Sequence, residues 1–151
     1  MKAKIGIVLL FLVVVGATYL FLNSNQQGVD QTYLLPNGFE GCVVINYDVK
    51  DAKPLQIENN EIIYKVPKDG IINTSSPMEF GWVNKKHSGA FQLKAFYVDE
   101  SGKKIKELPQ DKIRFGANGS VQEDGKPKRD YNYHIFGSKE IENQGCSAIE
   151  R

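Results

Sequence analysis

The chain is poor in the residues on which most catalytic and metal chemistry rests. Its 151 residues include two cysteines, two histidines and a single tryptophan. There is no Cys-x-x-Cys, and two histidines with two distant cysteines do not supply the clustered ligands of a metal site, so neither a metal nor a cofactor is expected. A basic stripe is also lacking. The densest basic clusters, Lys103-Lys104-Ile105-Lys106 and Lys126-Pro127-Lys128-Arg129, adjoin acids, and charges that alternate in sign argue against nucleic acid as a partner. Beyond residue 22 no segment of ten or more residues keeps a 3.6-residue apolar period, which argues against an α/β fold for the bulk of the chain.

One long apolar run is present. From Ile5 to Leu22 the sequence reads IGIVLLFLVVVGATYLFL, without a charge. Eighteen helical residues reach roughly 27 Å, close to the hydrocarbon thickness of a bilayer. The run is therefore expected to be a single transmembrane helix, with the lipid bilayer as partner through residues 5–22. Lys2 and Lys4 precede it and no acid occurs before Asp30, so the N-terminus is expected in the cytoplasm and the rest outside. A cleaved signal peptide, which would make the protein secreted, is the competing reading; its only small-x-small site, Val15-Gly16-Ala17, lies inside the run. No cysteine precedes Cys42, so the expected anchor is the helix itself and not a lipid on an N-terminal cysteine. The expected organisation is an anchor over 1–22, a flexible spacer over 23–31 (NSNQQGVDQ) and an extracytoplasmic domain over 32–151. After the two N-terminal lysines, 17 basic residues face 18 acidic ones, a slightly acidic balance. In an oxidising compartment Cys42 and Cys146, near opposite ends of the domain, are expected to form a disulfide, with two free thiols as the alternative.

The outer domain reads as short β-favouring runs divided by turns. Residues 42–49 alternate, with Val43, Ile45, Tyr47 and Val49 on one face. Residues 61–66 place Ile62, Tyr64 and Val66 on one face, and Asn59-Asn60 is positioned to turn the chain back onto Leu55-Gln56-Ile57. Pro67-Lys68-Asp69-Gly70 is a turn. Phe91–Val98 and Lys103–Leu108 flank Asp99-Glu100-Ser101-Gly102, a hairpin. A second hairpin is expected around Asn118-Gly119, between Phe115 and Val121. Residues 131–136 alternate again, with Tyr131, Tyr133 and Ile135 taken as the inner set. The expected core is Val43, Ile45, Tyr47, Ile62, Tyr64, Val66, Phe91, Leu93, Tyr97, Phe115, Tyr133 and Ile135. Seven or eight such strands predict an all-β domain, a small antiparallel β-sandwich or partly open barrel.

No catalytic residue stands out. His87 and His134 read as ordinary surface histidines, and the 18 acids offer no pair that spacing singles out. The loop Ser75-Ser76-Pro77-Met78-Glu79-Phe80-Gly81-Trp82 is the expected binding surface, because Met78, Phe80 and Trp82 lie where strand periodicity fails. The same three residues would equally serve to fold back and plug an open end of the sandwich.

Several groups carry a resemblance: Leu35-Pro36-Asn37-Gly38-Phe39-Glu40-Gly41 leading into Cys42-Val43-Val44-Ile45, then Ile63-Tyr64-Lys65-Val66-Pro67-Lys68-Asp69-Gly70-Ile71, then Phe96-Tyr97-Val98-Asp99 before a glycine turn. Their order resembles an uncharacterised bacterial family of exported or membrane-anchored domains of unknown function. The resemblance implies bacterial origin and extracytoplasmic display, with no catalytic residue to carry over. The expected function is a non-enzymatic, membrane-anchored binding or interaction domain of the cell envelope with a protein or envelope partner. The alternatives are an envelope-acting hydrolase using carboxylate or histidine chemistry, and an immunity or protective protein.

Overall fold

The computed structural model describes residues 14–16, 18, 27–122, 124–125 and 128–150. Most of the expected membrane helix over residues 5–22 lies outside them. Residues 14–16 and 18 are helical, and among the described residues no helix is long and apolar enough to cross a membrane. Ordered β-structure starts inside the stretch expected to be spacer, where Gln27 bridges to Ala90.

Among the described residues nine strands form two sheets: β1 Asp30–Pro36, β2 Gly41–Asn46, β3 Ile57–Glu58, β4 Glu61–Lys65, β5 Ile71–Asn73, β6 Leu93–Val98, β7 Lys104–Glu107, β8 Ile113–Val121 and β9 Arg129–Phe136. The first sheet has the order β3-β4-β1-β6-β7 and the second β5-β2-β9-β8. A short helix α1, Lys139–Asn143, and a 3-10 turn, Ser147–Glu150, close the chain. The all-β expectation holds. The purely antiparallel one does not, because β1 runs parallel to both β4 and β6, and β2 runs parallel to β5. Apart from the β3–β4 hairpin, successive strands from β1 to β6 alternate between sheets, so the parallel neighbours within a sheet arrive by crossover.

Where hairpins do occur, local chemistry makes them. Asn59 and Asn60 both adopt positive φ, 53° and 61°, the two-residue turn that matches strand twist and joins β3 to β4. Gly70, at φ 74°, donates to the Pro67 carbonyl at 3.0 Å; a Cβ there would also collide with the Cys42 carbonyl. Asp99 holds the β6–β7 loop by accepting from the backbone N–H of Ser101 and of Lys103 at 2.9 and 3.0 Å.

The hairpin expected at Asn118-Gly119 is absent. Strand β8 runs straight through it, with Asn118 opposite Asn132 and Gly119 opposite Tyr131. Gly119 serves here by its missing side chain, since a Cβ would sit 2.5 Å from Cζ of the Tyr131 ring.

The core lies between the sheets. Tyr33 and Leu35 of β1, Ile62 and Tyr64 of β4 and Ala95 of β6 meet Val43, Ile45 and Phe136 of the second sheet. Val43, Ile45, Tyr47, Ile62, Tyr64 and Val66 are buried as expected, and Leu93 and Tyr97 pack against them. Three expectations fail. Phe91 and Phe115 are 38% and 57% exposed, and the inner face of β9 carries Asn132, His134 and Phe136, the set taken as outer. Tyr133 faces away and makes an edge contact with Phe115, ring centres 6.0 Å apart. On that outer face Ile135 and Val44 are nevertheless buried, beside Cys42, because the C-terminal turn Ser147–Glu150 lies against β2.

Cys42 and Cys146 stand at disulfide distance, with Cα atoms 5.3 Å apart and a sequence separation of 104. A bridge of that span restricts the unfolded chain and clamps the C-terminal segment to β2. Reduction, or Cys42→Ser, is expected to lower unfolding free energy by about 3–5 kcal/mol. Urea titrations with and without reductant check this, and coincident midpoints would show that no bridge contributes.

Candidate functional site

The two sheets part at the end where β1 begins, and the chain between β5 and β6 folds across the gap. Buried polar groups hold this connection. Thr74 donates to the Lys53 carbonyl at 2.9 Å, and its hydroxyl accepts from the Ser76 backbone N–H at 3.1 Å. Ser76 in turn accepts from the Leu55 N–H at 2.9 Å. Next come two turns, with Phe80 N–H donating to the Pro77 carbonyl at 3.0 Å and Trp82 N–H to that of Glu79 at 2.9 Å. Between them Gly81 sits at φ 82°, and a Cβ there would lie 2.8 Å from Ile62 Cδ1. Only glycine allows the loop this close to the core.

That approach divides the three residues of the expected binding loop. Met78 and Phe80 pack against the core, as the plug reading has it. Trp82 and Met78 also line an open cleft of about 240 Å³. Its floor is the inner face of β8 and β9, with Gly116, Asn118, Asn132 and His134; Tyr47 and Phe91 contribute as well. None of the described residues lining it is charged at neutral pH.

His134 is the centre of a polar chain. Its Nδ1 lies 3.2 Å from Asn132 Oδ1 and 3.4 Å from the Tyr33 hydroxyl. Asn132 Nδ2 donates to Asn118 Oδ1 at 2.7 Å, so Asn132 Oδ1 is the acceptor and the imidazole proton resides on Nδ1. Nε2 is left as an acceptor. The ring also packs on Tyr33 and Phe136, with centroids 5.7 and 6.4 Å away. This setting corrects the expectation of a surface histidine, whereas His87, in the Asn84–His87 turn, is exposed. Burial pushes the His134 pKa down to about 4, so the ring is neutral at physiological pH. Burial likewise pushes the Tyr47 hydroxyl up to about 12, with a hydrogen bond to Tyr64 opposing the shift.

The position of His134 requires Gly116 beneath it. A Cβ on Gly116 would stand 2.5 Å from His134 Cδ2 and 2.6 Å from Nε2. Asn118, Asn132 and His134 escape sequence reading because each looks like an outward polar residue of an alternating strand. Gly116 and Gly119 three apart in one strand, opposite aromatic rings, are the signal that could have found them.

A family model matches residues 27–147, from the first ordered bridge to the start of the C-terminal turn. The chain belongs to DUF6843, a family of unknown function. The resemblance read from the Leu35–Ile45, Ile63–Ile71 and Phe96–Asp99 groups therefore holds. For this DUF6843 domain the solved structures offer a fold relative, the crystal structure of a candidate lipoprotein from Bacillus anthracis. It superposes with a TM-score of 0.59 at 22% identity, over 74% of this chain and 71% of that one. At that identity the likeness concerns the fold. Curated proteins gave no match.

Two outcomes follow from the site. A histidine depressed in the folded state stabilises it fully above the unfolded pKa of about 6.5, and that contribution is lost as pH falls toward about 4. Between about pH 7.5 and about pH 4.5 the native chain is expected to lose on the order of 2 kcal/mol more than His134→Gln, partial exposure allowed for. Equal losses in urea titrations at the two pH values would remove His134 as the cause. Gly116→Ala is expected to cost about 1–3 kcal/mol by overpacking and to displace the ring; an unchanged melting temperature and unchanged histidine NMR resonances would contradict that.

Proposed function

We propose that this DUF6843 domain is a membrane-tethered, extracytoplasmic binding domain of a bacterial cell envelope, and that the cleft bounded by Met78, Trp82 and His134 is its binding site. The cleft carries this reading. It sets the side chains of Trp82, Met78 and Phe91 beside a larger polar surface of oriented amide and imidazole groups, a concave site with convergent polar groups. The apolar run Ile5–Leu22 and the lysines before it support the tether and its orientation. The relative from Bacillus anthracis, itself described as a candidate lipoprotein, supports display outside the cytoplasm, although an anchor by lipid would differ from a single-pass helix. Gln27, which pairs with Ala90, brings the tether in beside Ser88 and Phe91 of the cleft. Four residues lie between it and Leu22, a reach of at most about 18 Å, so the cleft would open close to the membrane surface.

Protease added to spheroplasts tests the display and is expected to digest the domain, which otherwise stays with membranes washed in alkali. A protected domain would reverse the orientation. A photo-crosslinking side chain placed at Phe91, in the cleft, is expected to give a discrete adduct in intact cells, and one placed at Ile105, exposed on the edge strand β7, is not. No adduct from position 91, or the same adduct from both, would sink the binding reading.

A further inference from the structure

The chemistry of the cleft narrows what can occupy it. None of the described lining residues carries a charge, and His134 is held neutral, so phosphates, carboxylates and ammonium groups find no counter-ion there. The polar groups that remain offer both donors and acceptors. Among the described residues nothing accepts from Asn118 Nδ2 or Trp82 Nε1, the Gln31 side-chain amide makes no hydrogen bond, and Nε2 of His134 is an unprotonated acceptor beside Gly116. A hydroxyl group, which donates and accepts at once, matches such a mixed set better than any purely donating or accepting ligand. The smaller, apolar share of the surface comes from Trp82, Met78 and Phe91. A ligand satisfying both needs one hydrophobic face and a rim of hydroxyls. At about 240 Å³ the cleft falls below the roughly 300–1,000 Å³ that takes drug-sized molecules, so one ring at a time fits.

We propose that the cleft binds a neutral saccharide, one pyranose ring with its C–H face against Trp82 and its hydroxyls on Asn118, Gln31 and His134 Nε2. This rests on the cleft being a binding site. Asn132 is a positioning residue: its Oδ1 keeps the ring proton on Nδ1, and Nε2 faces the sugar as an acceptor. The source is either a soluble or wall-derived glycan or the headgroup of a membrane glycolipid, which share this chemistry.

Trp82 is the only tryptophan of the chain, so its emission reports on the cleft directly. The full chain in phosphatidylcholine vesicles is titrated with chitotriose, maltotriose and cellotriose up to about 10 mM, a range that captures weak single-ring affinities. At least one is expected to shift the emission saturably, and Asn118→Ala to weaken it by about tenfold, the equivalent of one lost hydrogen bond. Asn132→Asp keeps the acceptor toward Nδ1 but adds a charge. It is expected to shift the pH dependence of binding upward, which loss of packing alone would not do. Vesicles that carry monoglucosyl diacylglycerol separate the two sources: a shift there without one from free trisaccharides assigns a glycolipid headgroup, the reverse a free glycan. No shift with any saccharide overturns the proposal. If a capped, uncharged Ala-Ser-Asn-Ala peptide shifts Trp82 while no saccharide does, the ligand class is wrong and the binding reading stands; if neither does and position 91 gives no adduct, both fall.

Discussion

Tyr33 is the contact through which the two sheets and the cleft are joined. It lies at the middle of β1, the central strand of its sheet, and is wholly buried. Its ring packs 4.8 Å from Tyr64 in the same sheet and 5.0 Å from Phe136 across the interface, so one side chain spans both inner faces. The hydroxyl would be costly to bury alone. It reaches His134 instead, and that pairing places an imidazole inside the sandwich, where Asn132 and Asn118 extend the polar chain to the cleft. Burial raises the Tyr33 pKa well above its ordinary value, so the group stays a neutral phenol throughout physiological pH.

The cleft exists because small residues make room on one side while a constrained loop closes the other. Gly116 lets β9 press His134 over β8. Across the gap, Gly81 brings the loop against Ile62 and sets Trp82 at the rim. The buried Thr74–Ser76 bonds give that loop a fixed base, so the wall of the cleft is ordered although it belongs to no strand.

Much of the fold was readable locally. The alternation in Val43–Tyr47 and Ile62–Val66, the Asn59-Asn60 turn and the Asp99–Gly102 loop each depend on neighbours in sequence, and each was placed correctly. Strand β1 is not among the strands expected from the sequence, which assigns its first two residues to the spacer. Thr32 is buried on the face opposite Tyr33 and Leu35, donating its hydroxyl to Glu61, so the strand shows no polar–apolar alternation, as befits a strand flanked by two parallel neighbours. Strand β9 alternates clearly, but alternation does not say which face is inner. Tyr133 and Ile135 are the more apolar set, and the disulfide-distance pair and C-terminal turn cover that face, leaving the inner positions to Asn132, His134 and Phe136.

By itself the sequence determined the class of the domain, its family, the turns at Asn59-Asn60, Pro67–Gly70 and Asp99–Gly102, and the apolar run that precedes it, because each depends on composition or on residues within a few positions of one another. Only the tertiary structure decided the parallel pairing around β1, the inversion of the β9 faces, the exposure of Phe91 and Phe115, and the meeting of Trp82 with His134. Those depend on which sheet each strand joins. Such contacts form between residues tens of positions apart, where no local pattern records the partner.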